Sequence, residues 1–157
     1  MSKGQKVIDV AFAEVGVKES PANSNKTKYG KWFGLDGVSW CGIFCSWVFD
    51  QAGVNLGKIG YLRGFAGCQT AVAHFRKTGE VTTTPAVGDL VFYDWQGDGK
   101  HDHVGIFNGW VKGKKGKEFY AIEGNTSLTN QSDGGAVMNR IRKNGNNVLF
   151  VHPKVLD

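Results

Sequence analysis

Apolar residues recur at helical spacing in three segments of the first half of the chain. The segments cover residues 4–16, 41–52 and 67–78, and in each of them apolar positions three and four apart share one face of a helix. Each segment ends at a residue suited to a helix C-terminus, namely Gly16, Gly53 and Gly79. The pattern therefore predicts three helices, with a polar surface loop at 19–34 between the first and the second.

After Pro85 the pattern changes to short stretches rich in β-branched and aromatic residues, separated by Gly, Asp and Asn. The stretches are GDLVFYDW, HVGIFNGWV, FYAIEGN, GAVMNRIR and NVLFVHP. Their lengths and spacing predict five or six antiparallel strands. Helices followed by strands indicate an α+β fold in which the N-terminal helices pack on one face of an antiparallel sheet.

The length and composition indicate one globular unit. The 157 residues show no internal repeat and no linker-like segment, so we expect a single domain over 1–157. No apolar run approaches the roughly 18 residues that span a bilayer, and stable membrane insertion is not expected. Asp9 and Glu14 interrupt the first apolar segment, so no signal peptide is predicted and the protein is expected to stay in the cytoplasm until it is released.

The net charge favours an anionic partner. Lys and Arg number 19 against 14 Asp and Glu, which gives +5 and suits nucleic acid, a membrane surface or a polyanionic cell wall. The densest basic run, 112–117, carries no aromatic residues at base-stacking spacing. We therefore interpret it as a solvated turn and expect no nucleic-acid partner.

The three cysteines differ in their predicted surroundings. Turn-forming residues at 36–39 place the start of the second helix at Trp40 or Cys41, so Cys41 lies beside unpaired backbone N–H groups that stabilise a thiolate. Cys45 is one turn further into the helix. Cys45 and Cys68 are therefore interpreted as small buried hydrophobic residues, and Cys41 as the candidate nucleophile.

A thiolate nucleophile needs a base that is itself held in place. Of the four histidines, His103 opens the predicted strand HVGIF, which fixes an imidazole well. His101 lies in the preceding turn, where we expect it to be mobile and solvated. The next strand ends in AIEGN, where alternation puts Glu123 and Asn125 on one face. One of them would orient the imidazole and the other would support it or the substrate carbonyl, whereas each taken alone suits a structural role.

The segments SWCGIFCSW, DHVGIF and IEGN, in this order, resemble the CHAP amidohydrolase/peptidase family, a branch of the papain-like cysteine hydrolases. The resemblance extends roughly from Lys28 to Val151. It implies a papain-like fold with Cys41 as nucleophile, His103 as general base, Glu123 as the residue that orients the histidine and Asn125 as an accompanying polar residue.

The same resemblance implies cleavage of an amide bond in bacterial peptidoglycan, either as an N-acetylmuramoyl-L-alanine amidase or as an endopeptidase. Many family members are bacteriophage endolysins. Two alternatives stay open, a bacterial NlpC-type endopeptidase or toxin amidase, and a non-catalytic wall-binding or virion structural protein. A monomer without a separate wall-binding module is expected, and the plausible groove walls are Tyr29, Trp32, Trp40, Trp95 and Trp110.

Metal ligation is not expected from the spacing of the ligand-type residues. The loop that starts at Asp94 follows an EF-hand pattern until its twelfth position, where Gly105 replaces the required Glu. Zinc bound by Cys41, Cys45 and the 101/103 histidine pair fits no usual spacing. The chain also lacks the acidic calcium loop that some CHAP members carry before the nucleophile, because 19–35 contains only Glu19 as an acid. No cofactor is expected.

Overall fold

The structure is a computed structural model that describes residues 1–126 and 134–157. Four helices come first, and the strands follow them. The helices are α1 (Lys3–Ala13), α2 (Lys28–Phe33), α3 (Cys41–Gln51) and α4 (Cys68–Thr78). The strands are β1 (Val81–Thr82), β2 (Leu90–Tyr93), β3 (His103–Trp110), β4 (Glu118–Thr126), β5 (Ala136–Lys143) and β6 (Val148–Val151), and a 3-10 turn covers Lys154–Leu156.

The sheet is antiparallel and open, with the strand order β1-β6-β2-β3-β4-β5. In the register of its central strands, Tyr93 lies opposite His103 and Ile106 lies opposite Ile122. The α+β class, with helices before an antiparallel sheet of six strands, is confirmed.

Helix α2 lies inside the segment that we expected to be a loop. The Thr27 side chain accepts a hydrogen bond from the Gly30 N–H at 3.0 Å and so caps the first turn, and Gly34 ends the helix with a left-handed φ of 89°. The helix has six residues, too few to show an apolar period. For this reason the pattern of apolar positions misses it.

The two faces of the sheet support separate apolar clusters. Val104, Ile106 and Ile122 belong to the main core between the sheet and the helices, where α3 packs on β3 and β4. At Gly124 the contact is so close that an added Cβ would lie 2.7 Å from Cβ of Phe44. The opposite face carries a second, aromatic cluster that includes Tyr93, Phe107, Phe119 and Phe150.

Strand alternation decides where the polar residues of β3 and β4 lie. His103 and Glu123 point to the same side as Phe107 and Phe119, on the face away from the helices. Cys41, the first residue of α3, interacts with His103, the first residue of β3. Among the described residues, no helix is long and apolar enough to cross a membrane.

Candidate active site

Cys41 is the first residue of α3, as the turn residues before it predicted. In the described part of the chain no side chain caps this helix, so the first N–H groups stay available for a negative charge. Only 4% of Cys41 is exposed, and that surface opens into a cavity of about 220 Å³. The cavity is lined by Ser39, Cys41, Ala66, Gly67, Cys68, Gln69, Thr70, His101 and Asp102.

The loop before Cys41 is tied to two distant segments. Asp36 accepts a hydrogen bond from the Thr27 N–H at 3.0 Å, and the Ser39 hydroxyl accepts one from Asn125 Nδ2 at 3.2 Å. Gly42, next to the nucleophile, lets the 65–66 backbone pass, because an added Cβ would lie 2.6 Å from the Ala66 carbonyl oxygen. The close approach at Gly42 places the segment that leads into α4 against the start of α3.

His103 is the first residue of β3, as predicted, and is fully buried. Its Nε2 lies 2.9 Å from Glu123 Oε1 and donates to it. The other ring nitrogen, Nδ1, has no conventional hydrogen-bond partner among the described residues. The imidazole interacts with the Cys41 side chain. Because Nε2 is engaged by Glu123, Nδ1 is the nitrogen left for the sulfur.

The surroundings of Cys41 favour its ionised form. Interaction with the Cys68 thiol is the largest cause that lowers the pKa of Cys41; burial opposes it, and His103 and the Val104 N–H add to the lowering. Burial also lowers the pKa of His103, but Glu123 and Cys41 outweigh it and raise that pKa to about 9. A thiolate–imidazolium pair is therefore the stable form near neutral pH.

Glu123 is a fully buried carboxylate with hydrogen-bond donors at both oxygens. Oε1 accepts from His103 and from Arg142 Nη2, whereas Oε2 accepts from the Tyr93 hydroxyl at 2.8 Å and from Arg142 Nε at 3.0 Å. Burial raises the pKa of Glu123, yet His103 and then Arg142 lower it to about 2. The carboxylate thus stays charged and holds the imidazole in one orientation.

Asn125 lies at the end of β4 with a left-handed φ of 57°, beyond a register shift that follows Glu123. Its Nδ2 donates to Ser39, and its Oδ1 accepts from the Gly135 N–H at 3.1 Å. These bonds connect the loop before the nucleophile with the segment that leads into β5. The structure therefore brings Cys41, His103 and Glu123 together, with Asn125 as a brace beside them.

The aromatic residues expected to wall the groove lie elsewhere, and this expectation is wrong for Tyr29 and Trp40. Both are 0% exposed and stack on each other with ring centroids 5.6 Å apart, inside the core of α2, α3 and β4. The two rings fill the space between the helices and the sheet, so they face the core instead of the substrate. Trp95 is half-buried, and its ring stacks on that of Tyr93 with centroids 4.6 Å apart. It therefore packs against a residue that holds the site. None of the five lines the cavity at Cys41.

The structure agrees with the expectation for Cys45 and adds to what was expected of Cys68 and His101. Cys45 is buried, as expected, and burial raises its thiol pKa well above the usual range. Cys68 is buried in the core, as expected, but it also begins α4, lines the cavity and interacts with Cys41. His101, expected to be mobile and solvated in its turn, is half-buried in the wall of the same cavity.

Sequence reasoning missed Tyr93 and Arg142. Tyr93 is a strand residue directly opposite His103, and that pairing follows only from the register of β2 on β3. Arg142 lies on β5, where its neighbours in the sequence give no sign of a buried partner. No local pattern would have found either residue.

The Asp94 carboxylate finds its hydrogen-bond donors within the loop that follows it. Asp94 accepts from the backbone N–H groups of Asp98 at 3.2 Å and Gly99 at 2.7 Å, as in a turn stabilised by an aspartate. Within residues 1–126 and 134–157, no group of three or more His, Cys, Asp and Glu side chains is arranged to hold a metal ion.

The site combines a cysteine at a helix start with a histidine held by a buried carboxylate, on an α+β scaffold. A comparison with protein families matches residues 33–125 to the CHAP domain, which is more than half of the chain. The chain belongs to the CHAP family, whose members are generally cysteine- and histidine-dependent amidohydrolases or peptidases, and the family implies peptidoglycan as the substrate. A search of curated proteins finds no match.

Proposed function

We propose that this protein hydrolyses an amide bond of bacterial peptidoglycan, with Cys41 as nucleophile, His103 as acid and base and Glu123 as the residue that orients His103. One observation carries the proposal. The Cys41 sulfur, at the uncapped start of α3, lies between an open cavity and an imidazole whose far nitrogen is held by a buried carboxylate. This is the arrangement that acyl transfer through a thioester requires.

In the first half of the reaction, the thiolate attacks the amide carbonyl carbon and a sulfur–carbon bond forms. The negative charge moves to the carbonyl oxygen, where the Cys41 N–H at the helix start is the natural donor. His103 then gives its Nδ1 proton to the amine as the carbon–nitrogen bond breaks. A thioester and a free amine result.

In the second half, neutral His103 takes a proton from a water molecule that attacks the thioester. The carbon–sulfur bond breaks, the product leaves as a carboxylic acid, and the thiolate–imidazolium pair is restored. Glu123 stays ionised throughout, since its pKa is about 2, and keeps Nε2 protonated in both halves.

The cavity favours a small part of the substrate. A volume of about 220 Å³ lined by Ser39, Gln69 and Thr70 suits peptide groups and hydrogen bonding better than stacked sugar rings. We propose cleavage within or next to the stem peptide, as an amidase or an endopeptidase. We further propose the biological role of a bacteriophage endolysin, which reaches the wall from the cytoplasm when the membrane is breached.

Turbidity loss of purified cell walls tests the chemistry. Cys41→Ser is expected to lower lysis by at least about a thousandfold, because an alcohol at this position lacks the ionised form, with little change in thermal unfolding. Cys45→Ser, one turn further into α3, is the matched control and is expected to reduce stability more than turnover. Undiminished lysis by the Cys41 variant would refute the proposal.

Mass spectrometry of the released fragments identifies the bond. A new amine on L-alanine together with free lactyl groups indicates an amidase, whereas a new amine within the peptide or cross-bridge indicates an endopeptidase. Intact wall after prolonged incubation with the folded protein would favour a non-catalytic wall-binding role.

A further inference from the structure

Arg142 reaches the catalytic carboxylate from a strand outside the part of the chain that matches the CHAP family. It lies on β5 opposite Phe119 of β4, and its side chain extends along β4 to Glu123. The family match ends at residue 125. The contact is therefore made by a segment that the family relationship does not describe.

The guanidinium binds Glu123 with two parallel bonds. Nε donates to Oε2 at 3.0 Å, and Nη2 donates to Oε1, the oxygen that also holds His103. The Tyr93 hydroxyl occupies the remaining position on Oε2. A carboxylate held by a two-pronged donor cannot rotate without breaking two charge-assisted bonds.

The guanidinium is itself fixed by aromatic rings. Its central carbon lies 5.3 Å from the centroid of Tyr93 and 4.9 Å from that of Trp95, and only 6% of Arg142 is exposed. Cation–π contact and burial restrict it to one position. It is not among the residues that line the cavity at Cys41, and its link to the site is through Glu123.

We propose that Arg142 is a positioning residue that fixes the Glu123 carboxylate and offsets part of the carboxylate charge that acts on His103. The imidazole therefore faces Cys41 through Nδ1 and remains acidic enough to protonate the leaving amine. The proposal deepens the hydrolase function above and rests on it. In physical terms, the Arg142 guanidinium and the His103 imidazolium compete for the Glu123 carboxylate.

Competition predicts the direction of the effect on His103. With Arg142 present, part of the charge of Glu123 is offset by the guanidinium. Without it, the whole charge acts on the imidazolium and strengthens its hold on the proton. The imidazolium then becomes a weaker acid toward the leaving amine, and the carboxylate loses the fork that fixes its plane.

The test compares Arg142→Met and Arg142→Lys in the full chain. Nitrogen NMR of the His103 ring follows its titration without any substrate, and kinetics on cell walls follow catalysis. Arg142→Met is expected to raise the His103 midpoint above the wild-type value of about 9 by roughly one unit, and to lower kcat about 10- to 100-fold with KM nearly unchanged. Arg142→Lys keeps the charge but not the fork, so its midpoint stays near wild type while kcat falls.

Arg140→Met is the matched control. It removes the same side chain and charge two residues away on β5, where Arg140 Nη1 bonds the Thr126 hydroxyl at 3.3 Å. Its effects on kcat and on the His103 midpoint are expected to be smaller than those of Arg142→Met. If the two variants have equal effects, Arg142 acts only as one of several positive charges on β5, and the proposal is overturned.

Arg142→Met leaves a buried carboxylate with one cation fewer, which can prevent folding. In that case the double variant Glu123→Gln/Arg142→Met is compared with the single variant Glu123→Gln, because neither protein leaves an unpaired carboxylate at position 123. There the further effect of Arg142→Met on the His103 midpoint is expected to vanish, because Arg142 acts through Glu123.

The two hypotheses fail in different ways. If the wild-type protein cuts no wall, the hydrolase proposal fails, yet the His103 titration still tests Arg142. If walls are cut and the His103 midpoint in Arg142→Met stays at or falls below the wild-type value, the positioning role is overturned.

Discussion

At the scale of single residues, the decisive neighbour of the nucleophile is a second cysteine. Cys41 and Cys68 each begin an 11-residue helix, and they share the wall of one cavity. Interaction with Cys41 and then burial raise the pKa of Cys68 well above the usual range. We therefore expect Cys68 to stay a neutral thiol that acts as a donor toward the Cys41 thiolate and does not compete with it as a nucleophile.

The pH dependence of alkylation tests this thiol donor. Iodoacetamide labelling at Cys41, read from the mass of its peptide, is expected to have a midpoint well below that of an ordinary thiol. Cys68→Ala removes this thiol and is expected to move the midpoint upward, because interaction with Cys68 is the largest cause that lowers the pKa of Cys41. Cys68→Ser, which keeps a donor, is expected to lie between the two.

Cys45→Ala is the control for this experiment, since it removes a buried thiol from α3 that lies deeper than the cavity. An unchanged midpoint in Cys68→Ala would mean that His103 and the helix start account for the reactivity of Cys41 without Cys68.

At the scale of the elements, the site depends on how closely β3 and β4 approach each other. Gly105 lies two residues after His103, and an added Cβ there would be 2.5 Å from Cγ of Glu123. The absence of a side chain at this position leaves room for the glutamate between the strands. The strand pairing thus sets the distance between the imidazole and its carboxylate.

Gly105→Ala tests this close approach. The methyl group is expected to displace Glu123, to lower the free energy of unfolding by about 1–3 kcal/mol and to reduce kcat more than it raises KM. Gly145→Ala is the matched control, because an added Cβ there meets nothing within 4 Å. Thermal unfolding and wall lysis measured on both variants decide the matter, and full activity of a stable Gly105→Ala protein would contradict the role given to Gly105.

At the scale of the whole molecule, the helices cover one face of the sheet and the aromatic cluster lies on the other. Charged side chains such as Glu123 and Arg142 are buried at the site, whereas most other charged side chains lie at the surface. The net charge of +5 includes the exposed lysines of the turn 112–117 between β3 and β4. Since cell walls carry anionic polymers, we expect the whole surface to contribute to attraction to the wall at low ionic strength.

Salt is therefore expected to weaken wall binding. Cys41→Ser protein, which does not digest the wall, is mixed with purified walls, and the bound fraction is measured by sedimentation at increasing NaCl. Binding should fall steadily as the screening length drops from about 30 Å at 0.01 M to about 3 Å at 1 M. Neutralising Lys112 and Lys115 should reduce the salt dependence, and binding that is indifferent to salt would point to uncharged recognition.

The sequence predicted most of the elements because their signals are local. The starts of α3 and β3 follow from the turn residues before Cys41 and from the change to a strand pattern at His103. Helix α2 was missed because a capped helix of six residues has no apolar period. The burial of Tyr29 and Trp40 was missed for another reason, since an aromatic residue beside a nucleophile looks the same in sequence whether it faces substrate or core.

By itself, the sequence determined the order of the elements, the thiol at a helix start and the imidazole at a strand start, because each depends on residues a few positions apart. Only the tertiary structure decided that Cys68 reaches Cys41, that Arg142 and Tyr93 hold Glu123, and that Asn125 braces Ser39. These contacts join residues that are distant in the chain, and they depend on strand register and on the convergence of two helix ends. Both are set by the packing of the whole core.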